Sequence, residues 1–447
     1  MLHRIALLLL TILALASACT TPEPLGTARQ RLDFECPPGC TCTCEGGAAG
    51  EAGTAGSSSG TGGDSGGSGG SSGSGGTAGD AGASGSAGTG GSGGGGFACD
   101  LSSYTTGTWR KLTTQPQPAS SGSSRRHALG MSADPSNPGT LYSTWHAYNS
   151  TTGALLSGEG GVFKSTDCGV TWTEIGSFDA AHEVSVNPSN PSELYVANGV
   201  RGTLGFWYSS NAGSSWTQRT ITDTTLTSGQ NQTIMSNPND VMRASPDPAD
   251  WTHVVISSHY YGGTSGPSGL YESFDKGATW SGIFPGSTWG TGNFIQMLTG
   301  STWFLGTQGS GYYRTTDGGD NWSQVYTYSA SHGGFRLYQD STGALYVGSG
   351  ESGYIGRSTD GGASFSPLTG LGWGYWSAMG GVAGNLYTGR WNASNTTLRT
   401  ATEASPNSWT SPVTGLNEAG THMFVKDTVN GLLYVSMLSE GVWALKY

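Results

Sequence analysis

The sequence predicts an all-β fold, a seven-bladed β-propeller closed by an N-terminal strand, and three observations predict it. A short turn pattern with an Asp and a Gly recurs five times. A buried apolar–aromatic strand recurs seven times. The outer strand missing at the C-terminal end has a counterpart near residue 110. Fixed-period self-similarity of this kind is the signature of a radially repeated β architecture.

Composition divides the chain before any motif is read. The 447 residues include 77 Gly, only 11% charged residues and a formal net charge of −11. Residues 45–96 hold 25 of those 77 Gly and contain no aromatic residue, Lys or Arg. Such a stretch buries too little apolar surface to offset chain entropy. All 15 Trp and 19 Tyr follow Phe97. The expected organisation is a signal peptide over 1–18, a lipidated Cys-rich segment over 19–44, a disordered Gly/Ser linker over 45–96 and a propeller over 97–447. The acidic balance, with no basic cluster after Arg126, argues against a nucleic-acid partner.

The N-terminus reads as an address. His3 and Arg4 precede an apolar stretch from Ile5 to Leu15, which is too short to span a bilayer and suits an export signal. It ends in Leu15-Ala16-Ser17-Ala18-Cys19, which resembles the bacterial lipobox. That resemblance implies lipid on Cys19 and, with Thr20 following, an outer-membrane anchor at the cell surface or in the periplasm. Cys36, Cys40, Cys42 and Cys44 crowd beside Pro37 and Pro38, and in an oxidising compartment they read as a small disulfide knot. Their spacing without His is a weak zinc signal, so no metal and no other cofactor is expected. A linker of this composition spans about 40 Å, on the order of 5–6 Å times the square root of its residue number.

The five turns are Ser165–Trp172, Ser209–Trp216, Ser273–Trp280, Thr315–Trp322 and Ser358–Phe365. In each, Asp or Asn at the third position is placed to accept backbone N–H groups across a hairpin. Gly at the fifth allows positive φ, and the terminal aromatic residue opens the next strand. The pattern resembles the Asp-box, or BNR, repeat of sialidases, xyloglucanases and sortilin-type receptors. The resemblance implies that Asp167, Asn211, Asp275, Asp317 and Asp360 are structural and lie on the face away from any active site. One carboxylate per turn also falls short of what Ca²⁺ requires.

The second repeat sets the blade count. Leu141-Tyr142, Leu194-Tyr195-Val196, Val254-Val255-Ile256, Trp303-Phe304-Leu305, Leu345-Tyr346-Val347, Leu386-Tyr387 and Leu433-Tyr434-Val435 read as seven inner strands. The last blade ends at Tyr447 one strand short, and Thr108–Leu112 resembles Thr171–Ile175, so the N-terminal strand is expected to complete blade seven and remove a sheet edge. That closure brings Cys99 towards Cys168, and a disulfide between them is expected.

Long loops on a rigid scaffold are where function usually lives. Insertions over 145–160 and 217–240 both belong to the top face, where strands enter the axis. His127, His182, His332 and His422 lie near entries to innermost strands, and His146 and His259 near exits from second strands. Histidine titrates near neutral pH, Tyr donates protons, Arg neutralises carboxylates and indole faces stack on sugars. His127, His146, Tyr260, Glu183 and Asp240 are therefore the catalytic candidates. Arg126, Arg201, Trp145, His182, His259, Tyr261, His332, Trp376, Arg390, Trp391 and His422 are the substrate-binding candidates.

Three functions compete on this face. A glycoside hydrolase needs two carboxylates across the scissile bond, and the acids available are few. Where xyloglucanases carry a catalytic Asp, Leu141–His146 ends in His, and Phe335-Arg336-Leu337-Tyr338 is a poor substitute for the sialidase arginine motif because it reads as lying inside a strand. A polysaccharide lyase needs a base, an acid and a carboxylate clamp; resemblance in residue type to ulvan lyases points to His, Tyr and Arg. The third reading is a non-catalytic module that binds glycan or protein. The expected partner is extracellular polysaccharide or glycan, and the chain is expected to act as a monomer on its lipid anchor.

Overall fold

The computed structural model describes residues 99–112, 124–149, 156, 158–199, 205–219, 241–258, 270–283, 292–330, 336–390, 398–410, 416, 420–438 and 441–447. Their strands form seven antiparallel sheets, and the fold is the all-β, seven-bladed propeller that the sequence predicts. Blade 1 runs outward through Ser124–Ala133, Leu141–Asn149, Gly161–Ser165 and Thr173–Gly176. Blade 2 comprises Ala181–Val186, Leu194–Asn198, Gly205–Ser209 and Thr217–Arg219. Blade 3 comprises Val241–Pro246, Val254–Ser258, Leu270–Ser273 and Ser281–Ile283. Blade 4 comprises Gly292–Met297, Trp303–Thr307, Gly311–Thr315 and Ser323–Tyr326.

Blade 5 has short strands, Tyr338–Gln339, Leu345–Val347, Gly356–Ser358 and Ser366–Pro367. Blade 6 runs Gly374–Val382, Asn385–Arg390, Arg399–Thr402 and Ser405–Thr410, and gains a fifth strand where Ser349–Gly353 pairs with its innermost one. Blade 7 has Thr421–Asp427, Leu432–Met437 and Gly441–Lys446, and Trp109–Lys111 pairs with the last of these to complete it. The N-terminal closure therefore stands as expected. One detail is corrected: each apolar–aromatic repeat lies on the second strand of its blade, and a more polar strand lies inside it. Sandwiching on both faces explains the unbroken apolar runs of the second strands. The cores lie between blades, as where Tyr142 and Val162 meet Phe178, Val184 and Val196.

The repeated turns join the third and fourth strands of blades 1 to 5 on the bottom face. In blade 3, Ser273 Oγ donates to Asp275 Oδ1 at 2.8 Å and accepts from the Gly277 amide at 2.8 Å, while the Thr279 amide donates to Asp275 Oδ1 at 2.8 Å. Burial pushes the Asp167, Asp275 and Asp317 carboxyls up, yet the turn hydroxyls and amides outweigh it and hold all three below the usual range. Gly277 has φ +82° and a side chain there would meet the Phe206 ring at 2.5 Å, so the turn also seats each blade against its neighbour.

The ring is sealed between blades 7 and 1. Cys99 and Cys168 form a disulfide across the seam with Cα atoms 5.8 Å apart. Tyr434 donates its hydroxyl to the Cys168 carbonyl at 3.2 Å, and Asp427 Oδ2 accepts the Gly139 amide at 2.8 Å. The bridge closes a loop over a sequence separation of 69 and restrains the unfolded chain accordingly. Cys168→Ser is expected to cost about 2–4 kcal/mol. Cys99→Ser should cost a similar amount, and the double variant no more than either, as read from denaturant midpoints; a larger loss in the double variant would refute a shared bridge.

Candidate functional site

Register slips on the innermost strands aim the axial side chains. The pairing steps from Ala181↔Asn198 to Glu183↔Ala197 in blade 2 and from Thr421↔Met437 to Met423↔Ser436 in blade 7. The same one-residue excess occurs between Val241 and Arg243 in blade 3 and between Gly292 and Phe294 in blade 4. Such bulges leave one residue unpaired in the ladder and re-aim its side chain. In blades 2 and 7 that residue is a histidine, His182 or His422, and the two rings meet edge to face with centroids 5.6 Å apart.

Blade 1 supplies the other pair. His127 and His146 face each other in register across its first two strands, with ring centroids 5.3 Å apart and planes at 32°. A register shift between Ala128 and Met131 accompanies the Leu129 carbonyl, which accepts from the His422 Nδ1–H at 3.0 Å and from the Ser436 hydroxyl at 2.7 Å. A carbonyl only accepts, so His422 carries its proton on Nδ1 and presents Nε2 as an acceptor. Burial pushes the His422 imidazole down to about 3, the Leu129 carbonyl opposes this, and His146 and Arg243 add to it by repulsion.

The second component is an Arg–Glu–Arg group spanning three blades. Glu183 Oε1 receives Arg243 Nη2 at 3.2 Å from blade 3, and Arg336 Nη2 at 3.0 Å and Nε at 3.2 Å from the segment entering blade 5. Arg243 and Glu183 side chains are each 4% exposed, whereas Arg336 retains 31%. Burial lowers Arg243 to about 10, with Glu183 opposing and Arg336 reinforcing the shift. Among the described residues two guanidinium groups share this carboxylate, and Arg336 is the more accessible of the two.

The candidate residues thus separate. His127, His146, His182, Glu183 and His422 are gathered at the top ends of the innermost strands and of the second strand of blade 1. All five are buried, so they lie beneath the rim. Trp145 is 2% exposed in the core shared by blades 7 and 1, and its ring is no stacking surface. Trp376 is likewise 2% exposed, donates Nε1–H to the Gly372 carbonyl at 2.9 Å and lies under the Arg390 guanidinium at 4.9 Å. Both corrections follow from strand alternation, which turns these indoles between blades. Arg126 occupies the innermost strand of blade 1. Tyr260, Asp240, Arg201, His259, Tyr261, His332, Trp391 and Cys19 lie outside the described residues.

Arg243 and Arg336 escaped the sequence reading. Arg336 precedes the Tyr338–Gln339 strand and reaches the axis, which corrects its placement inside a strand. The available signal was positional, since Arg243 holds in blade 3 the register position that Glu183 holds in blade 2, and Arg336 leads into the innermost strand of blade 5. The remaining histidine among the described residues, His253, sits at the opposite end of blade 3 between Asp247 Oδ2 at 3.4 Å and Glu272 Oε1 at 2.8 Å. Among the described residues no group of three or more His, Cys, Asp or Glu is arranged to hold a metal ion.

No family model matches the sequence, and no curated protein does. Solved structures do share the fold. The GH74 xyloglucanase from Xanthomonas campestris is 18% identical with a TM-score of 0.50, over 75% of this chain and 53% of that one. The chain thus spans about half the length of the xyloglucanase. Virginiamycin B lyase from Staphylococcus aureus is 12% identical with a TM-score of 0.50, over 76% of this chain and 98% of that one. The architecture is therefore a propeller similar to those of a glycoside hydrolase and of a lyase, and the chemistry must be argued from the axial residues.

Proposed function

We propose that this chain is a surface propeller, anchored through lipid on Cys19 and joined to it by the Gly/Ser-rich segment 45–96, that cleaves an acidic extracellular polysaccharide by β-elimination at its top face. The observation carrying this reading is the gathering of the paired histidines beside the Arg–Glu–Arg group. A uronate needs its carboxylate neutralised before the C5 proton becomes acidic, and Arg336 is the accessible cation. One imidazole of the His127–His146 pair takes the C5 proton, the electron pair forms the C4–C5 double bond, and the C4–O bond breaks. The departing oxygen takes a proton from a general acid, for which Tyr260 is the candidate from the sequence. Glu183 serves here as the anchor of two guanidinium groups.

The test is product mass after incubating the full chain with polygalacturonate, alginate and xyloglucan. Fragments with unsaturated uronate ends are expected, and His146→Ala should reduce their rate at least about a hundredfold. Fragments carrying an added water would replace elimination with hydrolysis and redirect the search to Glu183 and Asp240. Binding without fragments would make the propeller a glycan-binding module.

A further inference from the structure

Of the exposed large hydrophobic residues among those described, Phe274 lies in a bottom turn and stacks on His253, and Val429 lies in a turn of blade 7. The other two, Trp373 at 56% and Tyr375 at 42% exposure, are neighbours at the entry to blade 6. Trp373 joins Tyr328 and Tyr354 in a three-ring group. Centroids are 5.5 Å apart for Tyr328–Trp373 and Tyr354–Trp373 and 5.6 Å for Tyr328–Tyr354, with planes at 80°, 90° and 78°. Tyr328 follows the outer strand of blade 4, Tyr354 precedes the third strand of blade 5, and Trp373 precedes the inner strand of blade 6. Each of these connections belongs to the top face.

The group is held in place from below. Tyr326 donates its hydroxyl to the Tyr354 carbonyl at 2.8 Å, and Trp376 Nε1–H holds the Gly372 carbonyl beside Trp373. Gly353 lets the Tyr328 ring lie against the backbone, since a side chain there would meet the ring at 2.7 Å. Trp373 keeps more than half its surface in solvent while touching both tyrosines, so part of a rigid indole face is available. Burying that face under another apolar surface is favourable, and a pyranose offers a matching face of C–H groups. Charge narrows the ligand further. The Arg390 guanidinium stands over Trp376 at 4.9 Å, and its Nε lies 3.1 Å from where a side chain on Gly374, next to Trp373, would begin, which sets a cation at the entry to blade 6 and favours a neutral or acidic ligand over a cationic one.

We propose that Tyr328, Tyr354 and Trp373 form a sugar-stacking subsite for a neutral or acidic pyranose. This deepens the polysaccharide reading and rests on it. The subsite lies on the top-face connections of blades 4 to 6.

The test uses full-length wild type, Trp373→Ala and Trp373→Phe, with affinity electrophoresis in gels containing polygalacturonate, alginate or xyloglucan. Wild type should be retarded by at least one polymer, Trp373→Ala about tenfold less, and Trp373→Phe nearly as much as wild type. Tryptophan fluorescence of wild type should respond to that polymer, and Trp373→Phe should lose the response while retaining binding. Equal retardation of wild type and Trp373→Ala, or no retardation of wild type by any of the three, overturns the subsite. Retardation that depends on Trp373 without any fragment formation supports the subsite and removes the elimination reaction. Fragment formation with Trp373→Ala indistinguishable in binding and rate removes the subsite and leaves the reaction.

Discussion

Replacing Glu183 with Ala is expected to destabilise the propeller by about 3–5 kcal/mol, because it takes the carboxylate from a guanidinium that water barely reaches. Arg243 is 4% exposed, and the carboxylate is the main influence opposing the effect of its burial. Glu183 also ties blade 2 to blade 3 and to the entry of blade 5, so its loss loosens three blades at once. Arg336→Ala removes the more exposed cation and should cost less than about 1 kcal/mol of stability, while weakening retention of acidic polymers. The paired substitution Glu183→Leu with Arg243→Met should recover most of the stability, since apolar residues of similar volume replace buried ions well. Urea unfolding of the three variants separates these expectations. If Glu183→Ala unfolds within 1 kcal/mol of wild type, the ion group does not hold the blades and its role is confined to ligand binding.

Sequence pattern reached far into this fold and stopped near its axis. The turn around Asp275 is legible because every group it uses lies within seven residues, from Ser273 Oγ to the Thr279 amide. The closing strand was legible because Trp109–Lys111 repeats the outer-strand pattern of another blade. The Cys99–Cys168 bridge followed from that closure. The axial group has no such local trace. Arg336 and Glu183 are 153 positions apart and meet only because a ring returns the chain to its own centre. Nor does hydrophobic patterning reveal which innermost strands carry a bulge, yet the bulges decide where His182 and His422 point. Trp145 and Trp376 were misplaced for the complementary reason. An indole at a strand end looks the same in sequence whether alternation sends it to the rim or between two blades.

His422 gives the propeller a pH dependence whose sign follows from its burial. In the folded chain its imidazole stays neutral down to about 3, whereas its ordinary value is 6.5. Between those two values the unfolded chain binds one more proton at this position, so stability rises with pH, is complete above about 6.5 and is lost as pH falls towards 3. The slope approaches about 1.4 kcal/mol per pH unit from this residue alone, which amounts to roughly 2 kcal/mol between pH 6.5 and 4.5. The groups facing His422 oppose its protonation. Arg243 is a permanent cation nearby, His146 adds repulsion when charged, and the His182 ring packs against it at 5.6 Å. The Leu129 carbonyl favours the proton, and it is already bound to Nδ1–H. His422→Asn keeps a donor for that carbonyl and removes the titrating ring. It is expected to cost about 1 kcal/mol at pH 7, yet to lose less stability than wild type on acidification, so that the two curves cross below about pH 6. Urea midpoints from pH 7.5 to 4 measure this directly. Parallel curves would mean that His422 titrates alike in the folded and unfolded chain, and the axial site would then hold a solvated imidazole that takes up a proton in mild acid, where the buried geometry keeps it neutral.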